Sequence, residues 1–427
     1  MAKLVSFLNS TIQYLKGKGL FDLLFVNLLT QFLSFGSLLL VAKFLSPSEY
    51  GEIKIIQSYT GFFIILAGFG FNTAVLKICS ENREEKEKDG VLRFVISRTF
   101  FSTTVTLIFI WILSRLGLIA TSAHLEKWLV IYSFSIPFQV LTGILIVFLQ
   151  AKKRIKEMAR VQAIIKIQSI LIIIGCTWIW GFTGFILSSI FAFALGLYPL
   201  TKLTGLSFLQ KNPIQIQTTI YNYAFYSFLA NGVNQLWQLN DIFILDHFSS
   251  NRISIGYYSL ALVFIAASSQ LTGTVQAIAT PFFSEHSTDK NWISTKLKQN
   301  QIKLGLLSAA VAVGIYLFAI ILFPVFYGPE YMETIKYLSI LLLKYVIWSS
   351  CALIGAALVG LGLMKYNFAM MVVVTPLGFF LSYTFLQRFG IVGVAWAQVI
   401  SASAMFVISL LFTMLAFKKH FHKTDNV

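Results

Sequence analysis

Charge is what this chain has least of. Only 12% of its 427 residues are Asp, Glu, Lys or Arg, and the acidic ones number 17. A soluble domain is usually about 25% charged, so a water-soluble globule is excluded. Cysteine is nearly absent too. Cys79, Cys176 and Cys351 lie in or at the ends of apolar runs, with no spacing for a disulfide framework or a metal site, and read as buried free thiols. The five histidines are scattered and suggest no metal. There is no phosphate-binding loop and no catalytic triad pattern.

What is present is apolar: 57% hydrophobic residues, 41 of them Phe. Only helices or closed barrels satisfy their backbone groups in lipid. The apolar runs reach the roughly 20 residues that a spanning helix requires, and they lack the alternation of barrel strands. Twelve runs are expected, at 20–44, 53–77, 91–116, 127–150, 159–180, 183–202, 218–245, 255–283, 303–326, 335–361, 366–387 and 391–417. The fold class is therefore an all-α membrane protein. The tight pair at 159–202 requires Gly181 to Gly184 to make a whole turn; the alternative is one long kinked segment. Pro137, Pro199, Pro324 and Pro376 lie within runs and predict kinks.

The chain repeats itself. Asn27, Thr30, Gln31, Ser34 and Ser37 recur 204 residues later as Asn231, Asn234, Gln235, Gln238 and Asp241. Phe44 and Ser46 recur as Phe248 and Ser250, Gly51 as Gly256, and Ser80-Glu81 as Ser284-Glu285. Farther on, Leu141, Val147, Leu149 and Lys153 match Leu353, Val359, Leu361 and Lys365 at an offset of 212. Two six-helix halves are expected, 1–205 and 206–427. Six spans is an even number, so both halves enter the bilayer from one side, around an axis along the membrane normal. A single kinked run at 159–202 would break that parity. The expected arrangement is two pseudo-symmetric bundles around a central cavity.

Lys and Arg set the orientation. With the N-terminus inside, 25 of the 33 fall on inner segments and 6 on outer ones, with Lys54 and Lys344 within spans. That bias places both termini in the cytoplasm. The net charge of +16 is then mostly topology, and no nucleic-acid partner is implied. Residues 2–16 carry Leu4, Phe7, Leu8, Ile12 and Leu15 at helical spacing, flanked by lysines. They read as an amphipathic surface helix, with no cleavage site for a signal peptide.

The candidate chemistry lies inside the spans. Ser227, Asn231, Asn234, Gln235, Gln238 and Asp241 share one helical face. Span 1 carries the matching stripe, Asn27 to Ser37, and span 8 adds Ser269, Thr272 and Gln276. Two readings stand: hydrogen bonds between helices, or a hydrated cavity. Lys344 sits among Leu341 to Leu343 and Val346 to Trp348, where a lysine is costly unless paired or wet. It is either a structural ion pair, for example with Asp241, or a cavity charge for an anionic substrate. Lys54 either snorkels to outer headgroups or joins that cavity. Arg93 and Arg98 begin span 3, either at lipid phosphates or at the cavity mouth. Lys166 reads as an inner-leaflet snorkeler.

At this point the segment FLSPSEYGEIKIIQSY after span 1 becomes informative. With Asp241 to Leu245, the Gly256-Tyr257-Tyr258 step and the turn from Gly360-Leu361-Gly362 to Lys365-Tyr366-Asn367, it resembles Wzx-type polysaccharide-unit flippases. These belong to the multidrug/oligosaccharidyl-lipid/polysaccharide exporter superfamily. The resemblance spans nearly the whole chain. It implies a non-enzymatic, alternating-access carrier in the bacterial inner membrane. Its substrate would be an undecaprenyl-pyrophosphate-linked oligosaccharide moved from the cytoplasmic to the periplasmic leaflet, for O-antigen or another surface polymer. Membrane lipids, a polymerase and a chain-length regulator are the implied partners. No cofactor is implied; a proton or sodium gradient is the candidate energy source. Lys54, Lys344, Arg93 and Arg98 are placed by position as substrate cations, and Asp241 as the coupling residue. The competing readings are a small-molecule or drug exporter of the same superfamily, and a polysaccharide polymerase. A polymerase or glycosyltransferase usually needs a sizeable outer loop with catalytic residues, and the outer loops here are short.

Overall fold

The computed structural model describes residues 20–119, 122–205, 217–287 and 289–424, with side chains described for all but 20–30, 32 and 422–424. The surface helix expected over 2–16 lies outside the described residues. The elements are α1 Leu20–Phe44, α2 Pro47–Gly68, α3 Phe71–Cys79, α4 Glu85–Arg115, α5 Ala123–Ser133, α6 Ile136–Ala151, α7 Ile155–Thr204, α8 Gln217–Phe248, α9 Arg252–Glu285, α10 Lys290–Leu322, α11 Glu333–Gly360 and α12 Met364–Thr424. Among the described residues there is no strand.

Two pairs are single bent spans: α2 with α3, at 49°, and α5 with α6, at 40°. Conversely, α7 and α12, of 50 and 61 residues, each hold two spans. Among the described residues this gives twelve helical spans, in the order expected from the apolar runs.

The two long helices break the same way. Gly181 has φ 58° and ψ −135°, and Gly390 has φ 64° and ψ −153°. Only glycine adopts such angles without strain. Three residues later a second glycine permits the close return. A Cβ on Gly184 would lie 2.1 Å from the Cys176 carbonyl, and one on Gly393 would lie 2.2 Å from that of Phe385. The chain thus turns back on itself at 181–184, as the paired reading required, and a second such turn occurs at 390–393.

The bend in span 2 has no proline behind it and was not expected. Phe69 and Gly70 both take positive φ there, 43° and 71°. In span 4, Pro137 stands in the first turn of α6, just after the break. Pro324 opens a π-helical turn, Phe323–Tyr327. At Pro199 and Pro376 the backbone keeps helical angles.

Packing divides the chain into two units. The first takes residues up to Leu45 and Ile56–Gly232; the second takes Ser46–Ile55 and Val233 onward. The repeat divides the sequence at 205/206, but packing places the start of α2 with the second unit and the start of α8 with the first. In the first unit α7 packs on α1 and α6, and α3 on α6. In the second, α11 is the hub, touching α9, α10 and α12. Its core gathers Phe283, Leu304, Leu353, Leu358 and Met370. Small residues let these helices approach, as usual in lipid: Gly305 lies against Ser350, and Gly360 against Thr280 and Phe283.

Candidate functional site

Within the second unit, Lys344 is half-buried on α11. Its Nζ donates to Gln398 Oε1 at 2.6 Å and lies 5.7 Å from the Trp237 ring centroid. Gln398 Nε2 donates in turn to Asn240 Oδ1 at 2.9 Å and Ser382 Oγ at 3.1 Å. Ser382 Oγ donates to Asn240 Oδ1 at 2.8 Å, and Asn240 Nδ2 to the Trp237 carbonyl at 2.5 Å. Asn240, Ser382 and Gln398 are at most 2% exposed. The knot ties α8, α11 and both limbs of α12 together. Each such bond between membrane helices is worth about 0.6–2 kcal/mol, and an orphaned buried group costs more.

Asp241 is the next residue along α8 and is 1% exposed. Its Oδ2 accepts from Tyr258 Oη at 2.6 Å and its Oδ1 from the Ile242 amide at 2.8 Å. Its carboxylate acts electrostatically on both Lys54 and Lys344. Lys54 is half-buried, on the part of α2 that packs into this unit. Lys54, Lys344 and Asp241 thus lie in one unit, with Asp241 in electrostatic reach of each lysine. The direct polar partner of Lys344 is nevertheless Gln398 and not Asp241.

The expected stripe divides. Asn231 and Gln238 are exposed, Asn234 and Gln235 are half-buried, and Asp241 is buried. Gln31 on α1 is exposed, and the side chain of Asn27 lies outside the described residues. On α9, Thr272 bonds Ser349 at 2.8 Å and Gln276 donates to the Ala352 carbonyl at 2.7 Å. For these two the helix-to-helix reading holds.

Arg93 and Arg98 belong to the first unit. Arg93 is half-buried; Arg98 is exposed, its guanidinium 5.2 Å from the Phe94 ring centroid. Phe94 in turn meets Tyr221 at 5.9 Å. In the same unit Thr73 and Ser227 share a 2.6 Å hydrogen bond, and Asn231 Nδ2 donates to Ser227 Oγ at 3.1 Å.

The basic loops are organised by ion pairs. Lys152 reaches Asp89 at 2.7 Å and Glu85 at 2.8 Å. Burial works against its charge, but these hydrogen bonds hold its ammonium above the usual lysine range. The bond from Lys152 holds Glu85 below the usual carboxylate range. Arg83 is braced by Glu81 and Glu87.

Asn240, Ser382, Gln398 and Trp237 are not singled out by the sequence, and Tyr258 only as part of the Gly256-Tyr257-Tyr258 step. Ser382 and Gln398 carried a signal, as polar residues inside spans otherwise rich in apolar ones. Asn240 carried less, because it sits off the face of the stripe. Among the described residues no His, Cys, Asp and Glu cluster could hold a metal, and the three cysteines are free.

A family model described as polysaccharide biosynthesis protein matches residues 40–336, more than half of the chain. No match is found among curated protein sequences. Among solved structures the chain is similar to the lipid II flippase MurJ in an inward closed conformation, with a TM-score of 0.74 at 19% identity, covering 94% of this chain and 89% of that one. It is also similar to an inward-facing multidrug resistance MATE family transporter of the MOP superfamily, with a TM-score of 0.69 at 13% identity, covering 92% and 95%. A third is the Vibrio cholerae MATE transporter VcmN in the bent form, with a TM-score of 0.58 at 12% identity, covering 94% and 97%. At these identities the likeness speaks for the fold, and the family match speaks for the lineage. The chain is a multi-pass membrane protein that belongs to the polysaccharide biosynthesis protein family.

Proposed function

We propose that this protein flips an undecaprenyl-pyrophosphate-linked oligosaccharide unit from the cytoplasmic to the periplasmic leaflet of a bacterial inner membrane, supplying O-antigen or another surface polysaccharide. The observation that carries the reading is the charged group inside the second unit. Lys54 and Lys344 place two ammonium groups within membrane spans against one carboxylate, Asp241. Charges at that depth mark substrate or ion pathways by default. A pyrophosphate needs cations, and a glycan needs the hydroxyl and amide partners that the exposed Asn231 and Gln238 supply. The polyprenyl tail is as apolar as lipid and stays in the bilayer.

In this reading the two bundles 1–205 and 206–427 alternate access to a central cavity, with both termini cytoplasmic. Lys344, Lys54, Arg93 and Arg98 attract the substrate, Asn27, Gln31, Asn231, Asn234, Gln235 and Gln238 line its path, and Asp241 couples the cycle to a proton or sodium gradient. A polymerase and a chain-length regulator act on the product. The likeness to MATE transporters favours a second reading, export of a small drug or metabolite, which needs no cationic site.

The test is expression in a bacterium that lacks its own flippase but assembles lipid-linked sugar units, using several units in parallel. Periplasmic polymer, with loss of the trapped inner-leaflet intermediate, supports the flippase. No rescue by any unit, with drug efflux instead, supports the exporter.

A further inference from the structure

The hydrogen bonds behind Lys344 fix which atom Gln398 presents to it. Gln398 Nε2 donates both of its hydrogens, to Asn240 Oδ1 at 2.9 Å and to Ser382 Oγ at 3.1 Å. Its Oε1 is therefore the atom that meets Lys344 Nζ, at 2.6 Å. The reverse amide orientation would set an NH2 group against an ammonium and an oxygen against the oxygen of Asn240. Asn240 is held in the same way. Its Nδ2 donates to the Trp237 carbonyl at 2.5 Å, and its Oδ1 also accepts from Ser382 at 2.8 Å. Gly378 lies against the cluster: a Cβ there would come 3.4 Å from Asn240 Nδ2 and 3.3 Å from Ser401 Oγ. Neither amide is free to turn, and all of these residues belong to the second unit.

The partners that Lys344 does have are neutral. Its ammonium meets the Gln398 oxygen and lies over the Trp237 ring, 5.7 Å from the centroid. Among the described residues no carboxylate pairs with it directly. Asp241 acts on it only electrostatically, its two oxygens being taken by Tyr258 and the Ile242 amide. An amide oxygen and an aromatic face steady a cation without cancelling it; a carboxylate at the same place would pair with it and neutralise it. One of the three ammonium hydrogens goes to Gln398, which leaves two. The side chain is half-buried, so a ligand can reach it. On the neighbouring ring, Trp237 Nε1 is buried with no partner among the described residues. Donors left over at a cation suit an acceptor-only anion.

We infer that Gln398 is a positioning residue for recognition of the substrate's pyrophosphate, acting through Lys344 and braced by Asn240 and Ser382. The inference rests on the flippase reading and adds to it how the cation is kept usable. A lysine side chain loses rotamer freedom whenever it is fixed. Here that loss falls on folding, so the substrate meets an ammonium already in place. Because Gln398 is neutral, the whole charge of the ammonium stays available to the phosphates. The cluster thereby separates a charged polyprenyl lipid from an uncharged one. Position 398 sets that selectivity: Gln permits it, and Glu abolishes it.

The test is equilibrium binding to the full-length protein in nanodiscs, with undecaprenyl pyrophosphate and uncharged undecaprenol as the probes. Wild type should prefer the pyrophosphate. Lys344→Met should lower affinity for it about tenfold and leave undecaprenol within about twofold. Gln398→Glu keeps the volume and the acceptor but adds a countercharge; Gln398→Met removes the acceptor. Each should lose most of the preference. In a Lys344→Met background, Gln398→Met should lower the preference no further, because its effect runs through the lysine. A knot that only ties helices would instead lower Tm in either background and leave the preference intact. If neither Gln398 variant reaches the membrane, Ser382→Ala, which removes one brace, should lower the preference about threefold. Preference that survives in whichever of these variants folds overturns the positioning role and leaves the flippase standing. So does a Gln398→Met effect that persists without Lys344. Equal wild-type affinity for the two lipids overturns both.

Discussion

Gly51 and Gly256, equivalent positions of the repeat, lie against each other. A Cβ on Gly51 would sit 2.8 Å from the Gly256 amide nitrogen, and one on Gly256 would sit 1.7 Å from the Pro47 carbonyl. The contact is backbone to backbone, so no rotamer change relieves an added side chain. It also explains why Ser46–Ile55 packs with the second unit, the one that holds Asp241.

Gly256→Ala should therefore destabilise the protein by at least the 1–3 kcal/mol typical of overpacking. Thermal unfolding in detergent measures it. An unchanged Tm would show that α2 and α9 can separate freely.

Gly181→Ala and Gly390→Ala should behave alike, each costing about 1–3 kcal/mol for the strained backbone. Neither a lysine nor a substrate group is involved, so the loss should appear in folded yield and not in selectivity. A large effect at one position with none at the other would break the equivalence of the two turns.

Lys344→Ala and Lys344→Met remove a charge and leave Gln398 Oε1 without its donor. The orphaned acceptor costs about 1–3 kcal/mol, and removing a mid-span lysine returns about 2.5–3.5 kcal/mol. The Met variant, which fills the same volume, should be as stable as wild type and should lose export. Wild-type export with normal membrane levels would remove Lys344 from the transport pathway.

Asp241→Asn keeps an acceptor for Tyr258 but discards the charge that acts on Lys54 and Lys344. Export should become less sensitive to ionophores. An unchanged ionophore response would argue that coupling lies elsewhere.

The loop clamp between Lys152, Glu85 and Asp89 should be pH-dependent. The depressed Glu85 contributes stability above its unfolded pKa near about 4.3, and loses it as pH falls through its lower folded value. The raised Lys152 contributes below about 10.4, and loses it as pH rises beyond. Amide exchange of the loop before α4 should thus stay slow between these limits and quicken outside them. Glu85 and Asp89 being exposed, the effect should be small and weaken with salt. Fast exchange at neutral pH would deny the clamp.

Much of the fold could be read from apolar period and repeat. Runs long enough to span lipid left helices as the only regular solution, and Gly181 to Gly184 named the first sharp turn. The bend at Phe69–Gly70 escaped because its cause is a tertiary contact, the seating of Gly70 on Ala224, not a proline. Lys54, Lys344 and Asp241 announced themselves as charges in apolar surroundings. Gln398, Ser382 and Asn240 did not, because a neutral polar residue in a span is too common to point anywhere until its partner is known.

By itself, then, the sequence determined the solvent, the number of spans and the duplicated plan, since these follow from how many apolar residues stand in a row and how far apart they recur. Tertiary structure decided which polar groups meet. Asn231 and Asp241 lie on one stripe of one helix, yet the first is exposed and the second is held by Tyr258 in the interior. Periodicity gives a side chain its direction around its own helix; only the packing of neighbouring helices decides whether protein or water stands there.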